Sequence, residues 1–98
     1  MKQDIFDKYA KSVAKKFDIS LDEMFTKDNH PNIVDARYML YYLCIERPIK
    51  ISYIQKFLKS SGYSVYHSTI MYGYKKAKKI IESDSDYKQL INDVIKDA

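Results

Sequence analysis

The sequence predicts an all-α domain of five to six helices, on three observations. Apolar residues recur at intervals of three and four along most of the chain, the spacing of a helix face. Only two glycines and two prolines occur in 98 residues, so few turns can be made and the connections must be short. The apolar fraction of 46% is ordinary for a folded protein, and residues 1–98 are long enough to bury a core as one domain without cross-links.

In chain order, Gln3 to Phe17 places Phe6, Ala10, Val13 and Phe17 on one side and reads as an amphipathic helix. Ser20 and Glu23 have the capping-box spacing, with Ile19 and Met24 where a hydrophobic staple would be, so a short helix is expected from about Leu21 to Phe25. Thr26 to His30 is polar and aperiodic, a loop that ends where Pro31 supplies the backbone angle of a first helical position. The central helix follows, with Ile33, Ala36, Leu40, Leu43 and Cys44 in register and Tyr38, Tyr41 and Tyr42 widening its buried face, and it stops before Pro48.

Ile54, Phe57 and Leu58 make the apolar stripe of a helix of about two turns, with Tyr53, Gln55, Lys56 and Lys59 pointing away. Ser60-Ser61-Gly62-Tyr63 is the turn. A long helix is expected from near Ser64, as its cap, to about Glu82. A last helix opens with the cap and first-turn acids of Ser83 to Asp86 and turns Leu90, Ile91, Val94 and Ile95 inward.

The formal net charge is +4, but it is unevenly placed. Between Ile45 and Ile81 stand Arg47, Lys50, Lys56, Lys59, Lys75, Lys76, Lys78 and Lys79 against the single acid Glu46. A positive stretch of this kind suits a polyanion, although lysine-rich helix faces are most often simply solvated. The lone Cys44 cannot form an intramolecular disulfide and has no metal-ligand spacing around it, so a reducing cytoplasm is the expected setting and no metal or other cofactor is expected. The first residues, with Asp4 and Asp7, do not read as a secretory signal. The longest apolar run, Tyr38 to Ile45, is far short of the ~20 residues that span a bilayer, so a soluble protein is expected.

The long helix divides into two faces at about 100° per residue. Ile70, Gly73, Tyr74, Ala77, Ile80 and Ile81 fall on the side expected to be buried, and Ser68, Thr69, Tyr72, Lys75 and Lys79 on the opposite side. Small hydroxyls near the start and lysines further along suit a recognition helix, whose first residues meet base edges while later cations meet phosphates. An idle wet face is the bland alternative. For catalysis the candidates are weaker. His30 sits beside Pro31 as a helix-start residue, and His67 and Ser68, adjacent on a helix, point about 100° apart and cannot act as base and nucleophile. A binder without catalytic machinery is expected.

Three segments then resemble a known family. Phe17-Asp18-Ile19-Ser20-Leu21-Asp22-Glu23-Met24-Phe25, Ile33-Val34-Asp35-Ala36-Arg37-Tyr38-Met39-Leu40-Tyr41-Tyr42-Leu43 and His67-Ser68-Thr69-Ile70 are similar, in order and in near-family spacing, to the C-terminal DNA-binding domain of the bacterial replication initiator DnaA. That family reads roughly F-x-I-S-L-x-D-L, I-V-x-A-R-x-x-A-M-Y-L and D-H-S-T-V. The resemblance spans about Val13 to Ile95 and implies a Trp-repressor-like helix-turn-helix, as a stand-alone module, that inserts the helix starting near Tyr66 into the major groove of double-stranded DNA.

By that resemblance His67, Ser68 and Thr69 contact bases and neighbouring phosphates, Arg37 takes a DNA-backbone or supporting role, and Lys76 contacts phosphate. With Tyr66, Tyr72, Lys56, Lys75 and Lys79 they make up the expected DNA-binding set.

The chain departs from the family at Tyr66, which stands where aspartate accepts a hydrogen bond from cytosine, and the wheel puts Tyr66 toward the buried side. It departs again at Asn29, in place of a minor-groove arginine, and in a longer turn from Lys59 to Ser64. These changes imply a target other than the family's origin box. The 98 residues hold no G-x-x-x-x-G-K-S/T loop for ATP. The expected role is control of replication or transcription in the cytoplasm, associated with the nucleoid, as a monomer or homodimer. The competing expectation is a protein-interaction module that docks on a replication initiator or another replication protein without binding DNA, a use that ten tyrosines would suit.

Overall fold

The structure, a computed structural model, describes residues 2–97. Among them are six α-helices and no strand: α1 (Lys2–Lys16), α2 (Leu21–Met24), α3 (Pro31–Glu46), α4 (Ile51–Ser60), α5 (His67–Ser83) and α6 (Ser85–Asp97).

The helix boundaries follow from local chemistry. After α1, Asp18 adopts φ 55°, and the amides of Asp18 and Ile19 donate back to the carbonyls of Lys15 and Ala14 at 3.2 and 3.0 Å, closing the helix end with a left-handed residue. The capping box forms at α2, where Ser20 Oγ accepts from the Glu23 amide at 3.0 Å and Glu23 Oε1 accepts from the Ser20 amide at 2.9 Å. Pro31 opens α3, and Pro48 lies just beyond its end. At the end of α4, Gly62 (φ 85°) lets the Gly62 amide reach Lys59 O at 3.0 Å and the Tyr63 amide reach Leu58 O at 2.9 Å. This bond pair turns Tyr63 back into the core, where it is buried with Leu58.

All six helices contribute to one buried cluster. At its centre is α3, which buries residues around most of its circumference: Ile33, Ala36, Met39, Leu40, Tyr41, Leu43 and Cys44 among them. Against it lies α5, in the most extensive contact between any two helices, while α1 covers another side and touches α2, α4 and α6.

Cys44 is 0% exposed, and burial pushes its thiol up to about 12. It is a core residue with almost no thiolate at neutral pH. A thiol reagent should leave it unmodified in native buffer and label it fully in denaturant. Rapid labelling of the native protein would contradict its burial in the core.

Three expectations about the elements are corrected. The helix α4 has ten residues, nearly three turns instead of two. Ser64 does not cap α5, which starts three residues later with Tyr66 at the cap position. Ile95 lies one turn beyond Ile91 but is 51% exposed, because in the last turn of α6 it is Val94, fully buried, that faces the core and Ile95 stands at the edge of that face.

Candidate nucleic-acid interface

The back of α5 is fixed by its sequence. Ile70, Gly73, Ala77 and Ile81, at steps of three and four, are the buried residues of the helix. Gly73 allows the closest approach. A Cβ built there would stand 2.6 Å from Tyr38 Cδ1 and 2.7 Å from Tyr41 Cδ2, so the α5 backbone rests directly on two aromatic rings of α3. Tyr74 and Ile80 are half-buried flanks of the same face.

With its back held, α5 presents His67, Ser68, Thr69, Tyr72, Lys75, Lys76 and Lys79 to solvent. Tyr72 is 56% exposed yet positioned, its ring edge-on to Tyr38 at 6.1 Å and its face beneath Lys76 Nζ at 5.6 Å. Glu46 of α3 accepts a hydrogen bond from the Tyr74 hydroxyl at 2.7 Å and so stays beside the flank of the helix, and the acid of α5 itself, Glu82, lies in its last turn, beyond the lysines. The outer face therefore reads, from N- to C-terminus, as neutral hydroxyl groups followed by ammonium groups.

The approach to α5 is a non-helical strap, residues 63–66. Lys27 Nζ donates to Ser64 O at 3.1 Å and Gln55 Nε2 donates to Val65 O at 2.8 Å, so the loop before α3 and the side of α4 both hold it. Tyr66 follows with φ −84° and ψ 157°. Tyr66, which the wheel puts toward the buried side, is 79% exposed, because the helical angle does not apply to a residue outside the helix. Neither α4 nor α5 has a side-chain cap or an acid in its first turn, whereas α2 has its capping box and at α6 Asp84 Oδ1 accepts from the Asp86 amide at 2.9 Å. The start of α3 lacks both as well, so three helix starts, those of α3, α4 and α5, keep their positive dipole ends unmatched by a cap or a first-turn acid. Between α4 and the strap lies a cleft of about 610 Å³ whose walls include Lys27, Ser52, Lys56, Lys59 and Tyr66. Sequence reasoning placed Lys56 with the α5 residues; the structure places it in this cleft.

Arg37 is not on either surface. It is 4% exposed, and its guanidinium donates to the carbonyls of Met24 (3.0 Å), Thr26 (2.9 Å) and Asp28 (2.9 Å), with Cζ 5.0 Å from the centre of the Tyr63 ring. Its expected contact with the DNA backbone is therefore corrected. The side chain is spent on tying the loop between α2 and α3 to the core, which is a supporting role. A signal for this existed, since Arg37 sits four residues after Ile33 and three before Leu40, on the buried stripe of α3.

In the same loop, Asp28 Oδ1 accepts from the His30 amide at 2.9 Å and contacts His30 Nδ1 at 2.7 Å. The backbone hydrogen bond is the main reason the Asp28 carboxyl sits below its usual range, and the side-chain bond to Asp28 raises His30. His30 is thereby occupied in shaping the loop.

Among the described residues no group of three or more His, Cys, Asp or Glu is placed to hold a metal ion, and no helix is long and apolar enough to cross a membrane. No family model matches the chain, and a search of curated proteins finds no match.

Proposed function

We propose that this protein binds double-stranded DNA, without catalysis, by setting the outer face of α5 into the major groove. The observation that carries this proposal is the ordered exposed row of Ser68, Thr69, Tyr72, Lys75, Lys76 and Lys79 on a helix whose opposite side is fixed on α3. The major groove of B-DNA admits one α-helix, and base edges there offer donors and acceptors that short hydroxyl side chains reach only from a close backbone. The lysines two to three turns further along meet the sugar-phosphate backbone, where displaced counterions supply most of the affinity. The similarity of three sequence segments to the DNA-binding domain of the DnaA initiator supports the same orientation. It also suggests a role in replication or transcription control at the nucleoid. The family's aspartate is missing at Tyr66 and its hydrogen bond from cytosine is lost with it, which argues for a different target sequence.

Substitutions on the face separate the two kinds of contact. Lys75→Ala and Lys79→Ala should each weaken binding to every duplex alike and make the log–log salt slope shallower by about 1. Ser68→Ala or Thr69→Ala should change the preference among selected sites by ~1–3 kcal/mol while leaving affinity for random duplex nearly unchanged. Selection from a random duplex pool followed by titration of the four variants makes the comparison. Four variants that bind the selected site like the parent would rule out this face and favour a protein-docking role for the domain.

A further inference from the structure

We infer that the cleft between α4 and the strap is a second site, one for a segment of single-stranded nucleic acid. It is a different surface from the outer face of α5, and the inference does not depend on duplex binding. Lys27, Lys56 and Lys59 line the cleft together with Ser52, Ser64 and Tyr66, and no acid is among its lining residues, so the ligand is an anion. Its volume of about 610 Å³ lies in the ~300–1,000 Å³ range of sites that take a small-molecule-sized group, here a nucleotide unit of a strand. The uncapped starts of α4 and α5 both border it, through Ser52 and Tyr66, and add positive ends to the ammonium groups.

Tyr66 decides between nucleic acids. It is the most exposed large apolar side chain among the described residues, and its ring stands in water at the edge of a lysine-lined groove. A duplex hides its base faces inside the stack and offers such a ring only sugar and edges. An unpaired nucleotide offers a face, and a stacking platform beside a cationic groove is how strands are held without sequence readout. The platform is set in place beforehand, because Lys27 and Gln55 bond the carbonyls of Ser64 and Val65, the two residues preceding Tyr66.

The test is fluorescence anisotropy with a labelled oligothymidylate of about 12 nucleotides, a length within known groove site sizes and unable to pair. It is run at low salt on the parent and on Tyr66→Ala, Tyr66→Phe, Lys59→Ala and the double variant Lys75→Ala/Lys79→Ala, each checked for unchanged helical circular dichroism. The strand should bind the parent. Tyr66→Ala should lose roughly tenfold or more and Lys59→Ala a smaller factor with a shallower salt slope, while Tyr66→Phe, which keeps the ring, stays near the parent. The double variant on α5 should stay within about twofold, because it leaves the cleft intact. Absence of strand binding, indifference to Tyr66→Ala, or an equal loss in the α5 double variant would each overturn the inference. Full displacement of the strand by equimolar thymidine monophosphate, or by polyglutamate at matched charge, would overturn it in favour of a free-nucleotide or general polyanion site. Duplex titrations on the same samples report separately on α5.

Discussion

Arg37→Ala should destabilise the protein by about 3–5 kcal/mol, a large share of the ~5–15 kcal/mol that holds a domain of this size together. The guanidinium is buried and makes three hydrogen bonds to main-chain carbonyls of the segment from Met24 to Asp28. Bonds from a charged donor contribute about 1.5–3 kcal/mol each, and deleting the donor strands their acceptors in or near the core while leaving a void under Tyr63. Part of this is recovered when the freed loop opens to water, which keeps the total below the plain sum. A shift of this size lowers the melting temperature by on the order of 15 °C in a domain of about 100 residues. Arg37→Lys should recover less than half, because a single ammonium cannot span three carbonyls that a planar fork reaches. Chemical denaturation of both variants gives the answer. Near-parental stability in Arg37→Ala would mean that the buried side chain is not what holds this loop.

Gly73→Val should be the most damaging change on α5, costing about 3 kcal/mol or more, with Gly73→Ala in the same direction and smaller. Two effects oppose each other at this position. Alanine is favoured over glycine in a helix interior by about 0.8–1.0 kcal/mol, which alone would stabilise. Its Cβ, however, would stand 2.6 and 2.7 Å from ring atoms of Tyr38 and Tyr41. Both are Cδ atoms close to the ring attachment, and Tyr41 is buried, so neither gives way by a simple end-of-chain swing. Overpacking of a tight core contact costs about 1–3 kcal/mol for small additions, so the clash outweighs the propensity gain. Combining Gly73→Ala with Tyr38→Leu should return part of the loss, which identifies the ring contact as its cause. A stabilised Gly73→Ala would show that α5 can stand off from α3.

Much of the fold is legible where a single local cause sets the outcome. Ser20 with Glu23 marks the start of α2, Pro31 the start of α3, Pro48 its limit and Gly62 the end of α4. The two faces of α5 follow from its period, and the exposed row of Ser68, Thr69, Tyr72, Lys75 and Lys79 emerges as the wheel places it. The misplaced residues are those fixed by partners distant in sequence. Ser64 resembles a helix cap, but Lys27 and Gln55 hold the carbonyls of Ser64 and Val65, and residues 64–66 stay outside the helix. Tyr66 is outside the helix for the same reason. Motif similarity assigned Arg37 to the DNA, yet its own place on the apolar stripe of α3 puts it beneath a loop whose carbonyls no local pattern reveals. The cleft was illegible because Lys27 and Lys59 meet only through the fold.

The central claim is that the serine, threonine and lysine side of α5 lies against duplex DNA. Its most direct test is the affinity of the purified protein for random-sequence duplex across a series of salt concentrations. If about 4–6 phosphates are contacted, binding should fall with a log–log slope of roughly −4 to −5, and this slope should flatten in Lys75→Ala/Lys79→Ala. Absence of binding even in dilute buffer, or a slope that the double substitution leaves unchanged, would contradict it.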